Sequence, residues 1–332
     1  KNNCTDDIKR NMNTFINMLN KRLSLENASK QKALKVLHSP EDARDADLAD
    51  KRINNEIHAM ANITHPNLLE IVDYDLDSKW YVSEYHSRGP ITKHRDLFAG
   101  DFTKALMALR PLVEGVAELH ASDIVHRDIK PDNIFLALDD RLVLGDFGLV
   151  FFADTQHTRI SQEFENVGTR DWMPGWAFGI RVENVRPSFD VFSLGKVLWS
   201  LVSGKPILQL WYFDNDQFNV ELEYGNQPYI ELLNPLLSKC VVQYEQDCLP
   251  DANELLKEID NVLSIIRRNV DELNIGKDRK CKICAQGHYS RIINENSTDV
   301  RNFGFNTVGG RKWKIYVCDN CGNVQMFTSE TN

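Results

Sequence analysis

The sequence predicts an α+β chain of two unequal parts, a body that starts strand-rich and continues helical, and a small strand-rich tail. Three observations predict this. Apolar residues recur in short runs before residue 86 and at helical spacing from Phe102 to about Arg268. Four of the seven cysteines form two C-x-x-C pairs near the C-terminus. Charge divides at the same seam, because residues 276–332 carry nine Lys or Arg against five Asp or Glu, whereas the whole chain stands at −9. A length of 332 residues with 42% hydrophobic and 26% charged residues suits about two domains and excludes a disordered or collagen-like chain. The acidic balance excludes polyanion binding by the chain as a whole.

Taken in order, residues 7–19 place Ile8, Met12, Phe15, Ile16 and Leu19 on one helical face. Residues 31–37 read as a strand and Asp47 to Met60 as a helix. His65-Pro66-Asn67 turns into a strand pair around Leu68–Tyr74 and Trp80–Tyr85. Helical spacing from Phe102 is interrupted by expected loops at 121–172 and 212–228, and in the tail Trp313, Ile315 and Val317 alternate with Lys312, Lys314 and Tyr316. The longest relevant apolar run, Phe147 to Ala153, has seven residues against the ~18 of a membrane span. No charged-then-apolar leader opens the sequence, although it starts at Lys1 and not at Met. Scattered Cys4, Cys240 and Cys248, with the other four paired, suggest a metal site in a reducing compartment, the cytoplasm, and not a disulfide framework.

The strongest motif is His126-Arg127-Asp128-Ile129-Lys130-Pro131-Asp132-Asn133, followed by Asp146-Phe147-Gly148. Transfer of a phosphoryl group through a loose transition state needs metal ions on the phosphate oxygens, a group that orients the attacking hydroxyl, and cations that balance charge. Asp128 can accept the hydroxyl proton, Asn133 and Asp146 can hold magnesium, and Lys130 can neutralise the moving phosphoryl. The tripeptide alone means little: His94-Arg95-Asp96 repeats it without the Lys and Asn that follow, and reads as a solvated turn.

On these motifs the chain resembles the eukaryotic-type (Hanks-type) serine/threonine protein kinases over about residues 23–268. The resemblance implies a bilobal protein-kinase fold, with a small β-rich N-lobe at 23–86, a large helical C-lobe at 87–270, and ATP and magnesium as cofactors. Residues 1–22 then form an N-terminal extension, 271–279 a linker and 280–332 the tail. Ala33-Leu34-Lys35 is similar to the family's V-A-I-K strand, making Lys35 the grip on the α- and β-phosphates and Glu56 its ion-pair partner. Tyr81 to Tyr85 resembles the hinge, with adenine bonded to the backbone of Glu84 and His86 behind a small gatekeeper, Ser83. Ala33 and Phe135 would sandwich adenine, and Asp190 would hold the backbone of the catalytic loop. Met60, Ile71, His126 and Phe147 would stack as the apolar column of the active state. Gly168 to Met173 resembles the loop that seats a protein substrate, and Thr169 would bond Asp128 and Lys130, a serine/threonine arrangement.

Three features depart from the family. No glycine precedes Gly89, so the glycine-rich lid over the phosphates is missing; a stretch lost between Asn20 and Leu23 would explain this, as would a true lack of the lid. Pro174-Gly175-Trp176 stands where Ala-Pro-Glu should end the activation segment, and Cys248 to Ala252 lacks the partner Arg. Loss of both partners need not destabilise, and Trp176 is expected to fill the space. Glu165 stands three residues before Gly168, where relatives carry an activating phosphothreonine. It either faces Arg127 as a phosphate substitute or is a solvated carboxylate, and Thr155, Thr158 and Ser161 are alternative phosphosites.

In the tail, Cys281-Lys282-Ile283-Cys284 and Cys318-Asp319-Asn320-Cys321-Gly322 suit a tetrahedral Cys4 zinc site with no open position, hence a structural zinc. Gly322 permits the tight turn, and His288 is the one other candidate ligand. The tail resembles a zinc ribbon over about residues 280–328. The expected function is a serine/threonine protein kinase acting on a protein substrate, with no membrane partner and with the ribbon recruiting a partner or docking on the acidic body. The alternatives are a nucleotide-binding pseudokinase scaffold and a nucleic-acid-binding ribbon protein with a kinase regulator. The tail's net positive charge, with Lys312, Lys314 and Tyr316 on one strand face, is the support for nucleic acid, and solvated lysines explain the same pattern.

Overall fold

The structure, a computed structural model, describes residues 31–36, 63–147, 151–152, 170–177, 185–277, 280–281, 283–291 and 313–328, with single positions at 16, 18, 19, 54, 57 and 61. Strands β1 (Lys32–Val36), β2 (Ile71–Asp75) and β3 (Trp80–Glu84) form one antiparallel sheet in the order β1-β3-β2. Its register sets Ala33 opposite Ser83 and Lys35 opposite Tyr81. Trp80, Tyr81, Val82 and Ser83 are all buried, so the central strand is covered on both faces. Leu19 packs on Trp80 and Val82. Of the helix expected over 47–60, Asn54 and Ile57 are helical, and Ile57 reaches the main core.

The expected strand at Leu68 begins later, at Ile71. Leu68 instead bridges in parallel to Leu144, and Asn67 Nδ2 donates to Leu142 O at 2.8 Å. The His65-Pro66-Asn67 turn therefore ties the sheet to the body that follows.

That body is built on α1 (Phe102–Ala121), whose Asp101 cap accepts from the Lys104 amide at 2.9 Å. Its apolar residues at three- and four-residue spacing face the core. The stretch expected as a loop, 121–172, holds four short strands. These are β4 (Ile124–Val125), β5 (Ile134–Leu136), β6 (Leu142–Leu144) and β7 (Phe151–Phe152), paired β5 with β6 and β4 with β7. Strands of two or three residues fall below the length at which alternation can be recognised.

Helix α2 (Ser188–Ser203) is buried at every position, the mark of a central helix. It stops at Gly204, whose φ of 70° suits the residue that ends a helix. The short helices α3 (Val220–Tyr224) and α4 (Leu233–Leu237) follow, α3 lying inside the expected 212–228 loop. Helix α5 (Ala252–Lys277) runs through most of the expected linker 271–279. Ile266, Val270 and Leu273 continue its apolar period with no glycine before Gly276, which explains the extension. The tail is an antiparallel sheet of β8 (Tyr289–Arg291), β9 (Trp313–Cys318) and β10 (Val324–Thr328) with β9 central. Among the described residues no helix is long and apolar enough to cross a membrane.

Candidate active site

The loop between β4 and β5 carries a dense polar network. Lys130 Nζ lies 2.9 Å from both Asp128 carboxylate oxygens. Asn133 Nδ2 donates to Asp128 O at 2.9 Å and to Asp128 Oδ2 at 2.8 Å, which turns the carboxamide oxygen the other way. Two of the three expected catalytic residues, Lys130 and Asn133, thus converge on the carboxylate of the third, Asp128, a residue only 6% exposed.

Asp190, fully buried on α2, holds the loop from below. Its Oδ2 accepts from the His126 amide and its Oδ1 from the Arg127 amide, both at 2.8 Å. Burial alone would raise this carboxyl. The hydrogen bond from His120, the charges of His120 and His126 and the amide bond outweigh burial and hold it below the ordinary carboxylate range. Burial pushes His126 down, against the pull of the Asp190 and Asp128 charges, and its ring meets Phe147 edge-on at 4.8 Å. Arg127 (φ 65°) and Asp146 (φ 57°) both sit in the left-handed region, strain that the buried bonds around them sustain.

Across the cleft, Lys35 Nζ lies 3.2 Å from Asp146 Oδ1 and 5.5 Å from the Tyr81 ring. The Gly145 amide donates to Asn133 O at 2.9 Å, joining the two expected metal-binding segments. Asn133 and Asp146 together offer the hard oxygen donors that magnesium takes. At the expected adenine site Ser83 is buried, Ala33 lies opposite it, and His86 stacks on Phe135 with centroids 6.0 Å apart. Burial lowers the His86 pKa against the nearby Glu84 charge. Of the expected apolar column, His126 and Phe147 are in contact, while Ile71 packs against the main core at half burial. Glu56, Met60, Gly148, Glu165, Gly168 and Thr169 lie outside the described residues, as do Thr155, Thr158 and Ser161.

Two expectations need correction or extension. His94-Arg95-Asp96 is solvated only in part: Asp96 is exposed, but His94, between two 3₁₀ turns, and Arg95, which opens the second, are half-buried, with a bond between His94 Nε2 and Arg88 O at 2.9 Å. A polar tripeptide can be drawn in wherever backbone groups need partners, which composition does not reveal. His120 was not singled out, yet its Nδ1 accepts from the Ala252 amide at 3.1 Å, leaving Nε2 to meet Asp190 Oδ2 at 3.0 Å. It links α1, α2 and α5 behind the catalytic loop. Its sequence signal is faint, a histidine on the apolar face at the end of a helix. Trp176 meets Phe192 edge-on at 5.1 Å, in keeping with a space-filling role.

In the tail, the Sγ atoms of Cys281, Cys284, Cys318 and Cys321 all lie within 4.8 Å of one another, and His288 is not among them. Cys281–Cys321 and Cys284–Cys318 are each 3.7 Å apart. Four thiolates at ~2.3 Å from one zinc would have edges of about 3.8 Å, so the donor set fits that ion. The Gly287 amide donates to Cys284 Sγ at 3.3 Å and the Cys321 amide to Cys318 Sγ at 3.5 Å. Gly287 is obligatory at this approach, because a Cβ there would stand 2.5 Å from Cys318 Sγ. Gly322 has a φ of 69°, as the tight turn requires.

Comparison with known proteins gives the same direction. Residues 21–264 match the family model of the protein kinase domain. The serine/threonine-protein kinase PAK mbt of Drosophila melanogaster is 32% identical over 158 residues, 46% of this chain and 23% of that protein. The serine/threonine-protein kinase pakA of Dictyostelium discoideum is 32% identical over 163 residues, 47% of this chain and 13% of that protein. Aurora kinase B of Mus musculus is 26% identical over 177 residues, 52% of this chain and 49% of that protein. The chain thus spans half or less of the length of each of these relatives.

Proposed function

Since the chain belongs to the protein kinase domain family, we propose that it transfers the γ-phosphate of ATP to a serine or threonine hydroxyl of a protein. The observation that carries this reading is the convergence of Lys130 and Asn133 on the Asp128 carboxylate, with Lys35 and Asp146 paired 3.2 Å apart across the cleft. Asp128 orients the acceptor hydroxyl and takes its proton. Lys130, held against Asp128, places positive charge where the transferring phosphoryl gathers negative charge. Lys35 grips the α- and β-phosphates, with Glu56 as its second partner. Asn133 through its oxygen and Asp146 through its carboxylate would hold magnesium, which supplies charge neutralisation on the phosphate oxygens. Adenine would bond to the Glu84 and His86 backbone between Ala33 and Phe135. Asp190 keeps the catalytic loop in register through the His126 and Arg127 amides; Phe147 and Gly148 would complete the motif that Asp146 opens, and Arg127 would order the activation segment through Glu165. Lys130, two residues after Asp128, and the names of the relatives above favour serine or threonine over tyrosine.

The four tail cysteines would hold a structural zinc, closing a ribbon too small to be secure on its core alone. The ribbon's net positive charge against the acidic body supports a docking or recruiting role within the full chain. Incubating the purified chain with ATP, magnesium and peptides that differ only in Ser, Thr or Tyr tests the reading. Label on Ser or Thr peptides supports it, label on Tyr alone overturns the acceptor class, and nucleotide binding with no transfer leaves the scaffold reading in its place.

A further inference from the structure

Helix α2 carries two charged residues, Asp190 and Lys196, and both are buried. Lys196 is 1% exposed, in a helix where an apolar side chain would pack without the penalty of burying an ammonium. Its Nζ donates to the backbone oxygen of Asp171, and it lies 5.3 Å from the Phe192 ring centroid. One turn earlier, Ser193 Oγ donates to the backbone oxygen of Trp172 at 3.0 Å. Asp171 and Trp172 close the 3₁₀ helix Arg170–Trp172, where carbonyls at a helix end have no partner within the helix. Asp190, Ser193 and Lys196 thus occupy successive turns of one stripe of α2. Asp190 takes the amides of the loop that carries Asp128, and the other two take carbonyls of the 170–173 segment.

We infer that Lys196 is a positioning residue for the acceptor substrate: with Ser193 it clamps the main chain of residues 171–172 to the helix that also holds the catalytic loop. This rests on the kinase reading, in which that segment seats the substrate. The clamp fixes the distance from the seat to Asp128, and it anchors a segment that lacks the family's Glu–Arg ion pair. Trp172 and Met173, both buried beside it, complete the anchorage.

Lys196→Met keeps the volume and removes the donor, and Ser193→Ala removes only a hydroxyl should the first variant fail to fold. In the full chain, either variant is expected to raise the KM for an acceptor peptide, Lys196→Met by roughly tenfold, the scale of one lost buried hydrogen bond. The KM for ATP and the kcat at saturating peptide stay within about twofold. Amide exchange in peptides covering 170–177 quickens while that over β5 and β6 does not. An unchanged peptide KM, or a parallel fall of kcat and both affinities, overturns the inference. If the wild type phosphorylates nothing, the kinase reading falls instead, and unchanged exchange over 170–177 would separately remove the clamp.

Discussion

Asp128 is nearly buried and still faces a lysine and an amide with both its oxygens. Asp128→Asn keeps the shape and removes the proton acceptor. The expected result is a kcat lower by roughly 10²–10⁴-fold, with ATP affinity unchanged by calorimetry. Asp190 answers for three donors at once: two loop amides and the His120 ring. Asp190→Ala leaves them unpaired in the core, and denaturant titration should show a loss of about 3 kcal/mol or more. Because the folded carboxyl sits below its ordinary 3.8, its stabilisation is complete above that value and is lost as pH falls through the depressed one. The wild type should therefore lose more stability than Asp190→Asn as pH drops below about 4. The types and spacing of Asp128, Lys130, Asn133 and Asp146 were legible in the sequence because few other chemistries require that octapeptide followed by Asp146-Phe147-Gly148. His120 was not, since its role depends on the Ala252 amide 132 residues away.

Among the elements, α2 combines the most burial with the clearest electrostatic consequence. Burial pushes the Lys196 ammonium down to about 8 from 10.5, with the Asp171 carboxylate opposing it. A cation with a folded pKa below its unfolded one costs stability when charged. Stability should rise as pH climbs from about 8 to 10.5, by on the order of 3 kcal/mol, and Lys196→Met should lack that rise. Thermal melts of the two proteins over that range check it. The helical period that α1 and α2 occupy was legible, and β1, β2 and β3 were legible as separate short strands, whereas the sheet order β1-β3-β2 was not. Strands β4 to β7 were not, because two residues carry no period. The extension of α5 to Lys277 was hidden by a charge change that looked like a linker. Nothing in the sequence marked Lys196, since a lysine reads as surface until its partner, a carbonyl 25 residues earlier, is known.

At the scale of the whole molecule, a body with a large shared core carries a tail whose core, among the described residues, is three cysteines and two tyrosines. The tail should depend on its metal and the body should not. Metal analysis of the full chain should find one zinc. Chelation should speed amide exchange over 280–328 while leaving the melting of the body unchanged. Gly287→Ala should act like chelation, because the two cysteine turns meet at that residue. The acidic body and basic ribbon were readable from residue counts alone, whereas the contact between α5 and β8 was not.

In the proposed reaction, a cleft held together by Asp190 aims an alcohol at the terminal phosphorus of ATP. Its most direct test is the rate of γ-phosphate transfer to a serine peptide by the full chain with magnesium, beside Asp128→Asn prepared identically. Steady transfer is expected from the wild type and almost none from the variant, with both binding nucleotide equally. Equal transfer by the two proteins, or none by either, would contradict the proposed reaction.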